Sequence, residues 1–115
     1  MSKILNHAVG VNAEKKAVEY LKKQHYKIIE TNYSCKIGEI DIVAYDKKTL
    51  VFVEVKYRDT AYFGLPREAV NSYKQHKIRL VASSYINSKA LHDKECRFDV
   101  VDILGNEITL IKNCF

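Results

Sequence analysis

The chain has little of what interrupts a fold or braces it covalently. Its 115 residues include one proline, four glycines and no tryptophan. That scarcity excludes long flexible linkers and low-complexity segments, and it suits an α/β domain with short connections. No apolar run approaches the roughly 18 residues that span a bilayer, so a membrane partner is not expected. The opening Met1–His7 lacks the apolar stretch of a secretory signal, and a cytoplasmic location is expected. Three cysteines, Cys35, Cys96 and Cys114, are far apart and form no CxxC pair. A zinc site or disulfide framework is therefore not expected. Acidic residues are outnumbered, 14 against 19 basic, giving a net charge of +5. A basic balance favours a polyanionic partner, nucleic acid first.

Hydrophobic residues make up 47% of the chain, enough to bury the core of one domain over residues 1–115 but not two. Val11, Ala17, Val18 and Leu21 fall on one stripe of a helix from about His7 to Gln24. Tyr26–Tyr33, Glu39–Tyr45 and Leu50–Tyr57 read as strands rich in β-branched and aromatic residues. Asp46-Lys47-Lys48-Thr49 reads as a four-residue hairpin loop. After a loop over Arg58–Leu65, Pro66 suits the first turn of a long helix ending near Asn87, because its missing N–H costs nothing there. Cys96–Ile103 and Glu107–Lys112 close the chain as two strands around Gly105-Asn106. The order α-β-β-β-α-β-β implies an α/β fold with a mixed sheet flanked by helices.

The most informative strings are Gly38-Glu39-Ile40-Asp41 and Val53-Glu54-Val55-Lys56. They place two acids and a lysine on adjacent, otherwise apolar strands, where an uncompensated charge is costly. With Tyr45 opposite Leu50, pair numbers sum to 95, so Asp41 faces Glu54 and Glu39 faces Lys56. Strand periodicity then puts Glu39, Asp41 and Val43 on one face. Facing carboxylates repel, and a cation between them reverses the sign. Hard oxygen ligands suit Mg²⁺ or Mn²⁺. Lys56, on the same face as Glu54, is placed to orient an attacking water or to stabilise transition-state charge. A solvated face with Glu–Lys pairing accounts for Glu39 and Lys56 but not for Asp41 and Glu54.

Two helices repeat the anomaly. Glu14 lies in the middle of the first helix's apolar stripe, either as half of an internal salt bridge or as a third acid aimed at the same site. Lys74 lies within the stripe of Val70, Ile78, Val81 and Tyr85. It either snorkels outward or reaches a scissile phosphate or a site acid. Arg58 and Arg67 border the loop after Lys56 and suit backbone phosphates, as does the basic run containing Lys74 and Lys77. Tyr57, Tyr62 and Phe63 are either core or rim aromatics or stacking groups for unpaired bases.

Asp41, Glu54-Val55-Lys56 and Glu14 together resemble the PD-(D/E)xK nuclease core, with Ile40 where that motif has proline. More closely, the chain resembles a small bacterial family of uncharacterised endonuclease-like proteins, itself similar to archaeal Holliday-junction resolvases. Gly10–Glu14, Asn32, Gly38–Asp41, Phe52–Lys56, Arg58, Phe63-Gly64, Pro66, Ala69-Val70, Lys74 and Arg97–Val100 carry the likeness over nearly the whole chain. It implies a restriction-endonuclease-like core with a central five-stranded mixed sheet. It implies Mg²⁺ held by Asp41, Glu54 and the Val55 carbonyl, with Lys56 positioning the water and Glu14 completing the site. The resolvase likeness further implies a homodimer. The expected activity is metal-dependent hydrolysis of DNA phosphodiesters, on branched or damaged DNA. The competing expectations are a non-catalytic nucleic-acid-binding module on the same fold and a protein partner in a DNA-processing complex.

Overall fold

The computed structural model describes residues 3–58 and 70–115. Its elements run α1 (Lys3–Lys23), β1 (Lys27–Ser34), β2 (Glu39–Asp46), β3 (Thr49–Arg58), α2 (Ser72–Lys89), β4 (Cys96–Leu104) and β5 (Glu107–Ile111). The strands form one sheet in sequential order. β3 and β4 pair in parallel, and the other neighbours are antiparallel. The expected α/β class, element order and mixed five-stranded sheet are all present. No helix among the described residues is long and apolar enough to cross a membrane.

Each sheet face carries its own core. Ala13, Ala17 and Leu21 of α1 pack on Ile42, Ala44, Val51, Val53, Val101 and Ile103. Ile78, Val81, Ala82 and Tyr85 of α2 pack on Val43, Leu50, Phe52, Phe98 and Val100. Covered on both sides, β3 and β4 read as nearly unbroken apolar runs, as central parallel strands do.

Two boundaries differ from expectation. Asp46 pairs with Thr49, so the hairpin loop is Lys47-Lys48, not four residues, and Lys47 takes a positive φ of 57°. The second helix begins at Ser72, with the Asn71 side chain accepting from Lys74 N–H. Asn71 supplies the N-terminal cap. The placement of Pro66 in a helical first turn falls outside the described residues.

At the end of the sheet formed by the β2–β3 turn, a polar network ties distant segments. Asp99 is fully buried. It accepts hydrogen bonds from Tyr26 Oη at 2.8 Å, Arg97 Nε at 2.9 Å and the Asn113 backbone N–H at 2.9 Å. Arg97 also bridges to Asp46 at 2.7 Å. These partners satisfy a carboxylate that would otherwise be costly inside the protein.

Candidate active site

The β2–β3 register is Tyr45 with Leu50, Ala44 with Val51, Val43 with Phe52 and Ile42 with Val53. Every pair sums to 95, as expected, up to the residues flanking the acids. There the regular pattern changes. Ile40 and Val43 are three residues apart, yet both pack in the α2-side core. Strict alternation would put them on opposite faces. The change of face falls at Asp41. On β1, Thr31 pairs with Ile42 and Tyr33 with Ile40, leaving Asn32 beside Asp41 with a φ of 54°. Asparagine tolerates this left-handed conformation better than most residues. The expectation that Glu39, Asp41 and Val43 share one face is thereby corrected. The observed β2–β3 pairs end at Ile42–Val53, so neither the expected Asp41–Glu54 pair nor the expected Glu39–Lys56 pair forms in the ladder.

The irregularity lets Asp41 meet groups from both faces. Its Oδ2 accepts a hydrogen bond from the Val55 backbone N–H at 2.8 Å, so a side chain caps β3 where the β2 backbone ceases to pair. Burial first, then the nearby Glu54 carboxylate, push the Asp41 pKa up to about 7. Glu14 pushes it the same way, while the Val55 N–H and Lys74 oppose the rise.

Glu54 points to the α2 side and is buried. Lys74 Nζ lies 2.8 Å from Glu54 Oε1, and Lys56 Nζ lies 3.9 Å from the same oxygen. Burial works against both lysines. For Lys56, the neighbouring Lys74 adds to that and its pKa falls below the usual lysine value. For Lys74, the bond to Glu54 overrides burial and the pKa rises.

Glu14 is half-buried on α1, beside the buried stripe of Ala13, Ala17 and Leu21. Burial raises its pKa, a hydrogen bond from the Asn32 side chain lowers it, and Glu39 raises it. Its charge is felt at Asp41, so the acids Glu14, Asp41 and Glu54 share one electrostatic neighbourhood. A cleft of about 360 Å³ between α1 and β1, lined by Glu14, Val18, Thr31 and Asn32, adjoins it.

The remaining expected residues separate. Arg58 turns onto Asp102, with Nε 3.3 Å from Oδ1 and a side chain only 10% exposed. Lys77 is exposed and lies over the Tyr73 ring. Arg67, like Tyr62 and Phe63, lies outside the described residues. Asn32 is a site residue to which the sequence alone attaches no role. Its clue was an asparagine inside a β-rich string, where this residue type is depleted unless the backbone needs an unusual turn.

The donor set fits a hard divalent cation. Asp41 and Glu54 supply carboxylate oxygens inside an apolar frame, and burial together with the Glu54 charge leaves the Asp41 carboxylate short of compensation. Among the described residues, no three His, Cys, Asp or Glu side chains converge into a metal cage. Mg²⁺ does not require one, since it is commonly held by one or two carboxylates with water and phosphate completing its shell.

A family model described as "Uncharacterised protein family UPF0102" matches residues 13–103. A UPF0102 protein of Caldanaerobacter subterraneus subsp. tengcongensis is 46% identical over 114 residues, covering 97% of this chain and 93% of the relative. One of Fusobacterium nucleatum subsp. nucleatum is 49% identical over 105 residues, covering 91% and 88%. One of Lachnoclostridium phytofermentans is 48% identical over 107 residues, covering 92% and 91%. The matched span contains Glu14, Asn32, Asp41, Glu54, Lys56 and Lys74.

Proposed function

Because the chain belongs to the uncharacterised protein family UPF0102, its own site has to supply the reading, and we propose a metal-dependent endonuclease that hydrolyses DNA phosphodiester bonds. The observation that carries it is Glu54 held 2.8 Å from Lys74 and 3.9 Å from Lys56, with Asp41 of the neighbouring strand close enough to feel its charge, in strands that are otherwise apolar. A binding module has no use for a buried acid and a half-buried one that repel each other. A phosphodiesterase does, because it must gather positive charge around a phosphate.

The proposal includes placement in the restriction-endonuclease-like PD-(D/E)xK superfamily. The mixed sheet, the acid at the start of β2 and the Glu-x-Lys of β3 support it. Asp41 and Glu54 would hold Mg²⁺ or Mn²⁺, with the Val55 carbonyl as the third ligand implied by the resemblance. The bound cation would neutralise phosphate charge and acidify a water.

The chain's own groups supply the rest. The Val55 N–H fixes the Asp41 carboxylate. Lys56 is partly desolvated and its proton is loosened, which suits it to orient the attacking water and share its proton. Lys74, already beside Glu54, presents a cation toward a scissile phosphate. Glu14 adds negative charge on the α1 side and can accept a hydrogen bond from a water in the site.

Supercoiled, single-stranded and four-way-junction DNA, each incubated with Mg²⁺ or Mn²⁺, test this directly. Cleavage by the wild type, lost in Asp41→Asn and Lys56→Ala, supports the proposal. Cleavage retained by both variants sinks the site assignment. Salt-dependent binding without cleavage of any substrate favours the non-catalytic binding module instead.

A further inference from the structure

Tyr73 is 72% exposed, the most exposed large hydrophobic side chain among the described residues. A single exposed aromatic is ordinary on a protein surface. The position of this one is not. It is the neighbour of Lys74, whose ammonium reaches Glu54, so its Cα lies about 3.8 Å from that of a site residue. Lys74 turns inward and Tyr73 turns out, at the first turn of α2.

Tyr73 has a cation against its ring. Lys77, one helical turn on, holds its ammonium 5.6 Å from the Tyr73 ring centroid. The first turn of α2 has no acidic residue. That turn therefore adds no negative charge of its own beside Tyr73. An exposed aromatic ring with a cation beside it is what a single nucleic-acid strand uses, the base on the ring and the phosphate on the charge. A duplex keeps its bases stacked internally and has no face to offer.

We propose that Tyr73, with Lys77, is a stacking platform for an unpaired nucleobase beside the scissile phosphate, so that the substrate class is nucleic acid with an unpaired strand at the cut. This rests on reading the Asp41–Glu54 site as a phosphodiesterase. The platform sets substrate choice. Fully paired duplex meets the basic surface only.

Fluorescence anisotropy without cleavage, with Ca²⁺ in place of Mg²⁺, compares a splayed-arm DNA with a blunt duplex of the same paired sequence. Tyr73→Ala is expected to weaken splayed-arm binding about 5- to 150-fold and leave duplex binding unchanged. Tyr73→Phe keeps the ring and is expected to bind as the wild type does. Replacing the arm's bases with abasic sites should weaken the wild type and leave nothing further for Tyr73→Ala to lose. Equal losses on both DNAs, or no loss with Tyr73→Ala, overturn the platform. Cleavage assays separate the two claims. Cutting without any dependence on Tyr73 removes the platform and keeps the nuclease. A Tyr73-dependent arm preference without cutting removes the nuclease and leaves an unpaired-strand binder.

Discussion

The Lys74 ammonium lies 2.8 Å from Glu54 Oε1, closer than the 3.9 Å of Lys56, the lysine on Glu54's own strand. Glu54 is therefore neutralised chiefly by a helix that packs across the sheet, and α2 is tied to the acid at the centre of the site. Lys74→Ala is expected to destabilise the protein by about 1–3 kcal/mol, between the values for exposed and buried ion pairs, since Lys74 is partly exposed. Chemical denaturation measures it. In a Glu54→Gln background the same substitution should cost much less. Equal costs in both backgrounds would show that the pair contributes nothing.

Asp41 gives a pH dependence of defined sign. Its pKa in the fold is about 7, against 3.8 for the free side chain. Between those values the folded state holds a proton that the unfolded chain releases. The Asp41 contribution to stability is therefore fully present below 3.8 and is lost as pH rises through about 7. Thermal unfolding of wild type and Asp41→Asn from pH 4 to pH 8 isolates it. The variant keeps a side-chain oxygen for the Val55 N–H and should gain on the wild type as pH rises. A constant difference across that range would remove the shift. Mn²⁺ at pH 8 should restore stability to the wild type and not to the variant.

Much of this site is legible in the sequence, for physical reasons. The β2–β3 register follows from the short polar turn between two apolar strands, and a one-residue slip would swap Ile42 and Val53 from the α1-side core to the α2-side core. Helix phase puts Lys74 toward the sheet. What phase cannot give is its partner, because Glu54 belongs to another element. The same limit applies to Arg58. A basic residue at a strand end reads as a phosphate contact until Asp102, forty-four positions away, is seen to hold it. The change of face at Asp41 is hidden for a different reason. Alternation assumes an even pleat, and the pleat breaks where Asn32 turns left-handed.

Asn32 should matter in two separable ways. Asn32→Gly keeps access to the left-handed conformation and loses the bond to Glu14. Asn32→Ala loses both, at about 1–2 kcal/mol for the conformation. Denaturation should therefore rank Asn32→Ala below Asn32→Gly. If alanine proves as stable as glycine, the backbone at Asn32 is not the constraint.

The Asp99 network is expected to serve stability alone. Asp99→Ala leaves Tyr26 Oη, the Asn113 N–H and part of Arg97 without their acceptor, and should cost about 3–5 kcal/mol. Metal affinity of the folded fraction should be unchanged. A variant that unfolds normally but loses metal binding would tie this network to the site instead.

The most direct measurement is Mn²⁺ binding, by calorimetry or electron paramagnetic resonance at pH 8, where Asp41 is ionised. The wild type should bind the ion, and Asp41→Asn and Glu54→Gln should each weaken it by at least about 100-fold, the upper end of what loss of a supporting group costs. No binding at millimolar Mn²⁺, or equal binding by wild type and Asp41→Asn, would contradict the account.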